Sequence, residues 1–137
     1  MAKHILKDVN VTVNGVDLSD HISSVEVMLS REEIDTTAFG AGGRERMQGL
    51  EDDSFTLNFH QDFGTAEVDA TLFALWSSGS AFPVVVIPAG TTVGPENPSY
   101  SGSCILFEYQ PLAGAVGELS ETSVTLPVNG TITRSTV

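Results

Sequence analysis

The sequence predicts a mainly β fold: a β-sandwich or barrel of antiparallel strands with one flanking α-helix. Three observations carry that prediction. Apolar residues recur with a period of two through much of the 137-residue chain, the spacing of strands with one buried face. Asn-Gly pairs at 14–15 and 129–130 supply the positive-φ residues that tight hairpins prefer. A 3.6-residue period shows in one window, 64–79. The length suits one domain, 1–137, with one core, and 41% apolar against 18% charged residues fits a folded chain rather than a disordered one.

The elements follow in order. In VNVTVNGVDL, Val9, Val11 and Val13 alternate with polar residues and run into Asn14-Gly15, which predicts a first hairpin. SSVEVMLSREEI sets Val25, Val27 and Leu29 on one face and Glu26, Met28, Ser30 and Glu32 on the other, a strand with one side in the core. Beyond residues 36–53, SFTLNFHQDF resumes the alternation with Phe55, Leu57 and Phe59 opposite Thr56, Asn58 and His60; the two segments read as a long antiparallel pair. In GTAEVDATLFALWSSG, Val68, Leu72, Leu75 and Trp76 form one helical stripe, with Trp76 as a core anchor. Thr65 is placed to cap this helix, Glu67 and Asp69 suit its positive end, and Gly79 suits its C-cap, so it should end near Ser78. AFPVVVIPAG reads as a buried strand with prolines at its ends, residues 90–103 as a loop, and CILFEYQPL as a return to β. The tail predicts a hairpin: a strand over Glu121 to Val128, a turn at Asn129-Gly130, and a partner strand around Thr131 to Arg134.

Chemistry is sparse. Eighteen acidic against six basic residues leave a formal charge of -12, which repels a nucleic-acid backbone, so ordinary DNA or RNA binding is not expected. The start, MAKHILKDVNV, has no apolar core of a secretory signal, and no uncharged apolar run reaches the roughly 18 to 20 residues of a membrane-spanning helix, so neither export nor membrane insertion is expected. Cys104, alone, reads as a buried, inert thiol. His4, His21 and His60 stand in no short ligand motif, and Glu51-Asp52-Asp53 lacks the alternating oxygens of a calcium loop and reads as a solvated acidic turn. No serine lies in a nucleophile elbow, and the glycines of GAGGRERMQG fit no phosphate-binding loop. The sequence therefore assigns no catalytic residue, no cofactor and no metal, and the chain is not expected to be an enzyme.

What remains is TTAFGAGGRERMQGLEDD, residues 36–53, far longer than a usual strand connection. Ordering each residue costs about 1 to 2 kcal/mol, and Ala38, Phe39, Ala41, Met47 and Leu50 offer too little apolar surface to offset that within one domain. An arm that gains order from other chains resolves the imbalance.

The VNG hairpin, the strand leading into a long Gly-rich loop, SFTLNFHQDF, the single helix and the closing GELSETSVTLPVNGTITR together resemble the tail tube proteins of long-tailed bacteriophages, over nearly the whole chain. The resemblance implies a β-sandwich with a flanking helix that forms six-fold stacked rings around a channel, whose inner barrel joins the sheets of adjacent subunits and passes DNA without specific binding. It makes residues 36–53 an inter-subunit arm with Phe39, Met47 and Leu50 as apolar contacts and Arg44 and Arg46 meeting acidic surface on a neighbour. It makes Glu26, Ser30, Glu32, Thr56, Asn58 and His60 candidates for an acidic lumen. Implied partners are further copies of the chain, then tape measure, tail terminator and distal tail proteins, with a place in the virion tail and, during assembly, the host cytoplasm. Without an added outward-facing domain, the chain is expected to be a bare tube subunit. A tail terminator or secretion-tube subunit on the same fold is the first alternative; a β-sandwich binding module using the 90–103 loop is the second.

Overall fold

The computed structural model describes residues 3–137 and arranges them in three antiparallel sheets and one α-helix. In chain order the elements are β1 (Asn10–Val13), β2 (Val16–Asp17), a 3-10 turn (Ser19–His21), β3 (Ile22–Met28), β4 (Arg31–Asp35), β5 (Arg46–Glu51), β6 (Ser54–His60), α1 (Val68–Ser78), β7 (Phe82–Ile87), β8 (Ser99–Cys104), β9 (Glu121–Pro127) and β10 (Thr133–Ser135). A five-stranded sheet runs β10-β8-β7-β1-β2, a three-stranded sheet β3-β6-β9, and β4 pairs with β5 alone.

The first hairpin forms as expected: Asn14 and Gly15 hold φ of 50° and 81°, both positive, as its two-residue turn requires. β6 is the centre of the three-stranded sheet, and its alternation decides the core. Phe55, Leu57 and Phe59 are fully buried; Leu57 lies between Val25 and Val124, and Phe55 between Val27 and Leu126. Across from them Val11, Val13, Phe82, Val84 and Val86 of the larger sheet complete one cluster that also takes in Val68, Leu72 and Leu75 of α1.

Several expectations need correction. The closing hairpin does not form: β9 pairs with β6, while β10 crosses to the other sheet and pairs with β8. Asn129 donates its N–H to Ser103 O at 2.7 Å, and Ile132 donates to the Asp53 carboxylate at 2.9 Å, so competing partners draw the chain across the gap. The 90–103 loop is shorter than read, because residues 99–103 lie in β8; Gly102 there lets Val128 approach to where a Cβ would stand 3.2 Å away. CILFEYQPL is irregular after Cys104, though Leu106 is buried.

The helix ends at Ser78 with Gly79 at φ 67° as its left-handed cap, which is the predicted stop. It starts later than read: Glu67 is the N-cap, no side chain caps it, and Thr65 lies outside. Asp62 organises that approach, accepting Gly64 N–H on its carboxylate at 2.8 Å and Asp69 N–H on its carbonyl at 3.0 Å. Trp76 is not a core anchor. It sits about 80° round the helix from Val68, is 47% exposed, and donates its indole N–H to Phe107 O at 3.2 Å.

Candidate assembly interface

β3 and β6 continue outward as β4 and β5, so the long connection is largely a paired hairpin and residues 46–51 are strand rather than loop. The expected continuous strand breaks at Leu29 and Ser30, and Leu29 is exposed rather than in the core. Asp53 makes that break. Its buried carboxylate accepts Ser30 N–H at 3.0 Å and Ile132 N–H at 2.9 Å, while its carbonyl accepts Val128 N–H at 2.9 Å. Burial pushes this carboxyl upward, but the donated N–H groups of Ile132 and Ser30 and the nearby Arg31 outweigh it and hold the group below the ordinary carboxylate range. The triplet Glu51-Asp52-Asp53 is therefore not a solvated turn: its last member pins the arm to the body.

Beyond this pin every residue of β4 is exposed, as are most of β5. Phe39 at the tip is fully exposed, and Met47 and Leu50 are 58% and 81% exposed. Gly49 permits the pairing, because a Cβ there would meet Glu32 Cβ and Ile34 Cδ1 at 3.0 Å. Arg44 pairs with Asp35 at 2.9 Å, Arg46 with Glu33, and Arg31 with Glu51 at 3.1 Å. Arg44 and Arg46 thus already have partners within their own arm, in exposed pairs that are worth little and are open to exchange. Between arm and body lies a cleft of ≈ 570 Å³ lined by Leu29, Arg31, Arg46, Gln48, Asp53 and Ile132, among others.

The second surface is the outer face of β3-β6-β9. Register places Glu26 opposite Thr56 and Thr56 opposite Thr125; Ser24, Asn58 and Ser123 form the next row, and His60 faces Glu121. Glu26, Thr56, Asn58 and His60 share this face. Ser30 and Glu32 do not, since the break at Ser30 leaves them at the root of the arm and on β4. Sequence reading missed Ser123, Thr125 and Glu121, whose alternation in ETSVTLP shows a strand without showing its neighbour. β3 and β9 are the outer strands of this sheet, so each offers an open edge.

Elsewhere, burial pushes the Cys104 thiol up to about 12, consistent with an inert group. Residues far apart in sequence also meet at His21, whose ring nitrogens lie 2.9 Å from Asp20 and 2.9 Å from Asp62, with Glu67 at 3.5 Å. Burial pulls this imidazole down, but the bonds to Asp62 and Asp20 outweigh it and raise it above its ordinary value.

No protein-family model matches the chain, and no curated protein matches it. Solved structures do. A chain of the SPP1 tail tube superposes with a TM-score of 0.78 at 13% identity, covering 98% of this chain and 80% of that one. The chain has the tail tube fold. A chain from the tail of an empty gene transfer agent particle, refined helically with C6 symmetry, matches at TM-score 0.65 and 14% identity over 82% of this chain and 81% of its own. A chain from the tube-terminating cap of the anti-feeding prophage matches at 0.72 and 14%, over 100% and 93%. The tail tube fold thus spans the two sheets, the helix and the arm together.

Proposed function

We propose that this chain is a structural virion protein whose copies stack as six-fold rings into a tail tube, a conduit for DNA. The observation that carries the reading is the β4–β5 arm: a paired hairpin with an exposed apolar tip that the other described residues do not cover. The fold's likeness to the SPP1 tail tube and to a six-fold tail supports it. In this reading the arms lie on neighbours within and between rings, with Phe39, Met47 and Leu50 buried there and Arg44 and Arg46 exchanging Asp35 and Glu33 for a neighbour's carboxylates. The open edges of β3 and β9 meet those of adjacent copies. The polar face carrying Glu26, Thr56, Asn58 and Glu121 lines the channel, where fixed negative charge keeps DNA phosphates from adhering. Tape measure, terminator and distal tail proteins are the further partners, with the virion tail as the destination and the host cytoplasm as the place of assembly.

A terminator role on the same fold is the second reading, favoured by the match to a tube-terminating cap. Copy number separates the two. Quantitative mass spectrometry of the particle should find the chain in many rings' worth of copies; a single ring's worth identifies a terminator. Electron microscopy of the purified, concentrated protein should show stacked rings or tubes, and a monomer under all conditions, including in the particle, overturns the proposal.

A further inference from the structure

The fold gathers three carboxylates around one imidazole, and that arrangement has the form of a cation site. His21 ends the 3-10 turn, Asp62 follows β6 and Glu67 immediately precedes α1, yet one ligand atom from each lies within 4.8 Å of the other two. The His21 Nε2 stands 2.9 Å from Asp62 Oδ2 and 3.5 Å from Glu67 Oε2. Around a tetrahedral ion with bonds of about 2.0 to 2.2 Å, neighbouring ligand atoms sit about 3.3 to 3.6 Å apart, so small side-chain rotations suffice. The atoms pointing away are already held. His21 Nδ1 is 2.9 Å from Asp20 Oδ1, and Asp62 Oδ1 accepts Gly64 N–H at 2.8 Å, the kind of outer bonds that orient metal ligands.

A separate observation concerns charge. Asp20, Asp62 and Glu67 are opposed by at most one positive charge, that of the imidazole itself, because among the described residues no Lys or Arg pairs with any of them. The side chains of His21, Asp62 and Glu67 are 19% to 39% exposed and that of Asp20 is 83% exposed, open enough for an ion to arrive.

We propose that His21, Asp62 and Glu67 form a three-ligand site for a divalent first-row transition cation, with Zn²⁺ as the best-matched ion and water in the remaining position. One imidazole nitrogen and two carboxylate oxygens suit such an ion, whereas Ca²⁺ and Mg²⁺ call for six or more oxygens. As the ion enters, Nε2 releases its proton to solvent and turns its lone pair to the metal. The bound ion fastens the turn before β3 to the segment joining β6 and α1. The site lies within one copy, so its test does not depend on whether rings form.

Calorimetric titration of the purified protein with ZnCl₂, paired with thermal melts, should show one saturable equivalent and a rise in Tm that chelator reverses. Glu67→Gln removes a ligand but leaves the His21–Asp62 pair, and it should weaken binding at least tenfold. Asp20→Asn should weaken it about 10- to 100-fold without removing a ligand. A double variant, His4→Asn with His60→Asn, should bind as the parent does, and Mg²⁺ should give no saturable signal. No saturable Zn²⁺ binding below about 100 μM, equal binding by E67Q and the parent, or loss of binding in the double variant each overturns the site.

Discussion

Asp53 shows how one residue sets the geometry of the arm. Its two backbone donors come from Ser30 at the arm's root and Ile132 before β10, so the carboxylate joins both sheets to the projection between them. Asp53→Ala leaves two part-buried N–H groups without their acceptor and should cost about 1 to 3 kcal/mol by urea denaturation; a loss under about 0.5 kcal/mol means solvent replaces it freely. Because its folded pKa lies below the unfolded value of about 3.9, its contribution is present above that pH and is lost as pH falls through the folded value. Stability of the parent should therefore fall more steeply than that of Asp53→Asn on acidification below about pH 4. None of this was legible in Glu51-Asp52-Asp53 as a string, where adjacent acids look solvated and only the fold buries the last. The same holds for Trp76, whose stripe position was right to within one residue of the core face, yet one residue on a helix is enough to move an indole into solvent.

At the scale of elements, alternation and turn chemistry carried most of the information. β1, β3, β6 and α1 were legible because their apolar residues recur with a period of their own, and β7 because a continuous apolar run is bounded by prolines. β5 and β8 were not, because Gly-rich and Ser-rich stretches draw their strand character from the partner they meet, and β10 was read as a strand but given the wrong partner. The two Asn-Gly pairs make the point: Asn14-Gly15 turns a hairpin, whereas Asn129-Gly130 passes the chain from one sheet to the other. Gly49→Val tests the arm as an element. Its added atoms collide with Glu32 and Ile34, so hydrogen exchange should speed up across β4 and β5 while β6 keeps its protection; unchanged exchange in the arm contradicts the close pairing. Replacing both Phe39 and Met47 with Ser should shift monomer stability by less than about 0.5 kcal/mol, since both are exposed, yet abolish polymers seen by light scattering.

For the whole molecule, one core holds the two sheets and the helix. Phe59→Ala at its fully buried centre should cost about 3 to 5 kcal/mol. The formal charge of -12 makes association of copies a contest between apolar arm burial and mutual repulsion. Polymerisation should therefore speed up as salt rises from about 0.01 to 0.15 M and the screening length shrinks from about 30 to 8 Å; slowing over that range means that attraction between charges, not burial, drives assembly. The fold class and the unusual length of the 36–53 connection were readable because both are properties of pattern and length. The shared polar face of β3, β6 and β9 was only half readable, since register between strands belongs to the fold. The most direct measurement is electron cryo-microscopy of the assembled particle at a resolution that places side chains. The account predicts β4 and β5 of each copy lying against a neighbouring copy with Phe39 and Met47 buried between them; an arm folded on its own body, with Phe39 in solvent and no neighbour in reach, contradicts it.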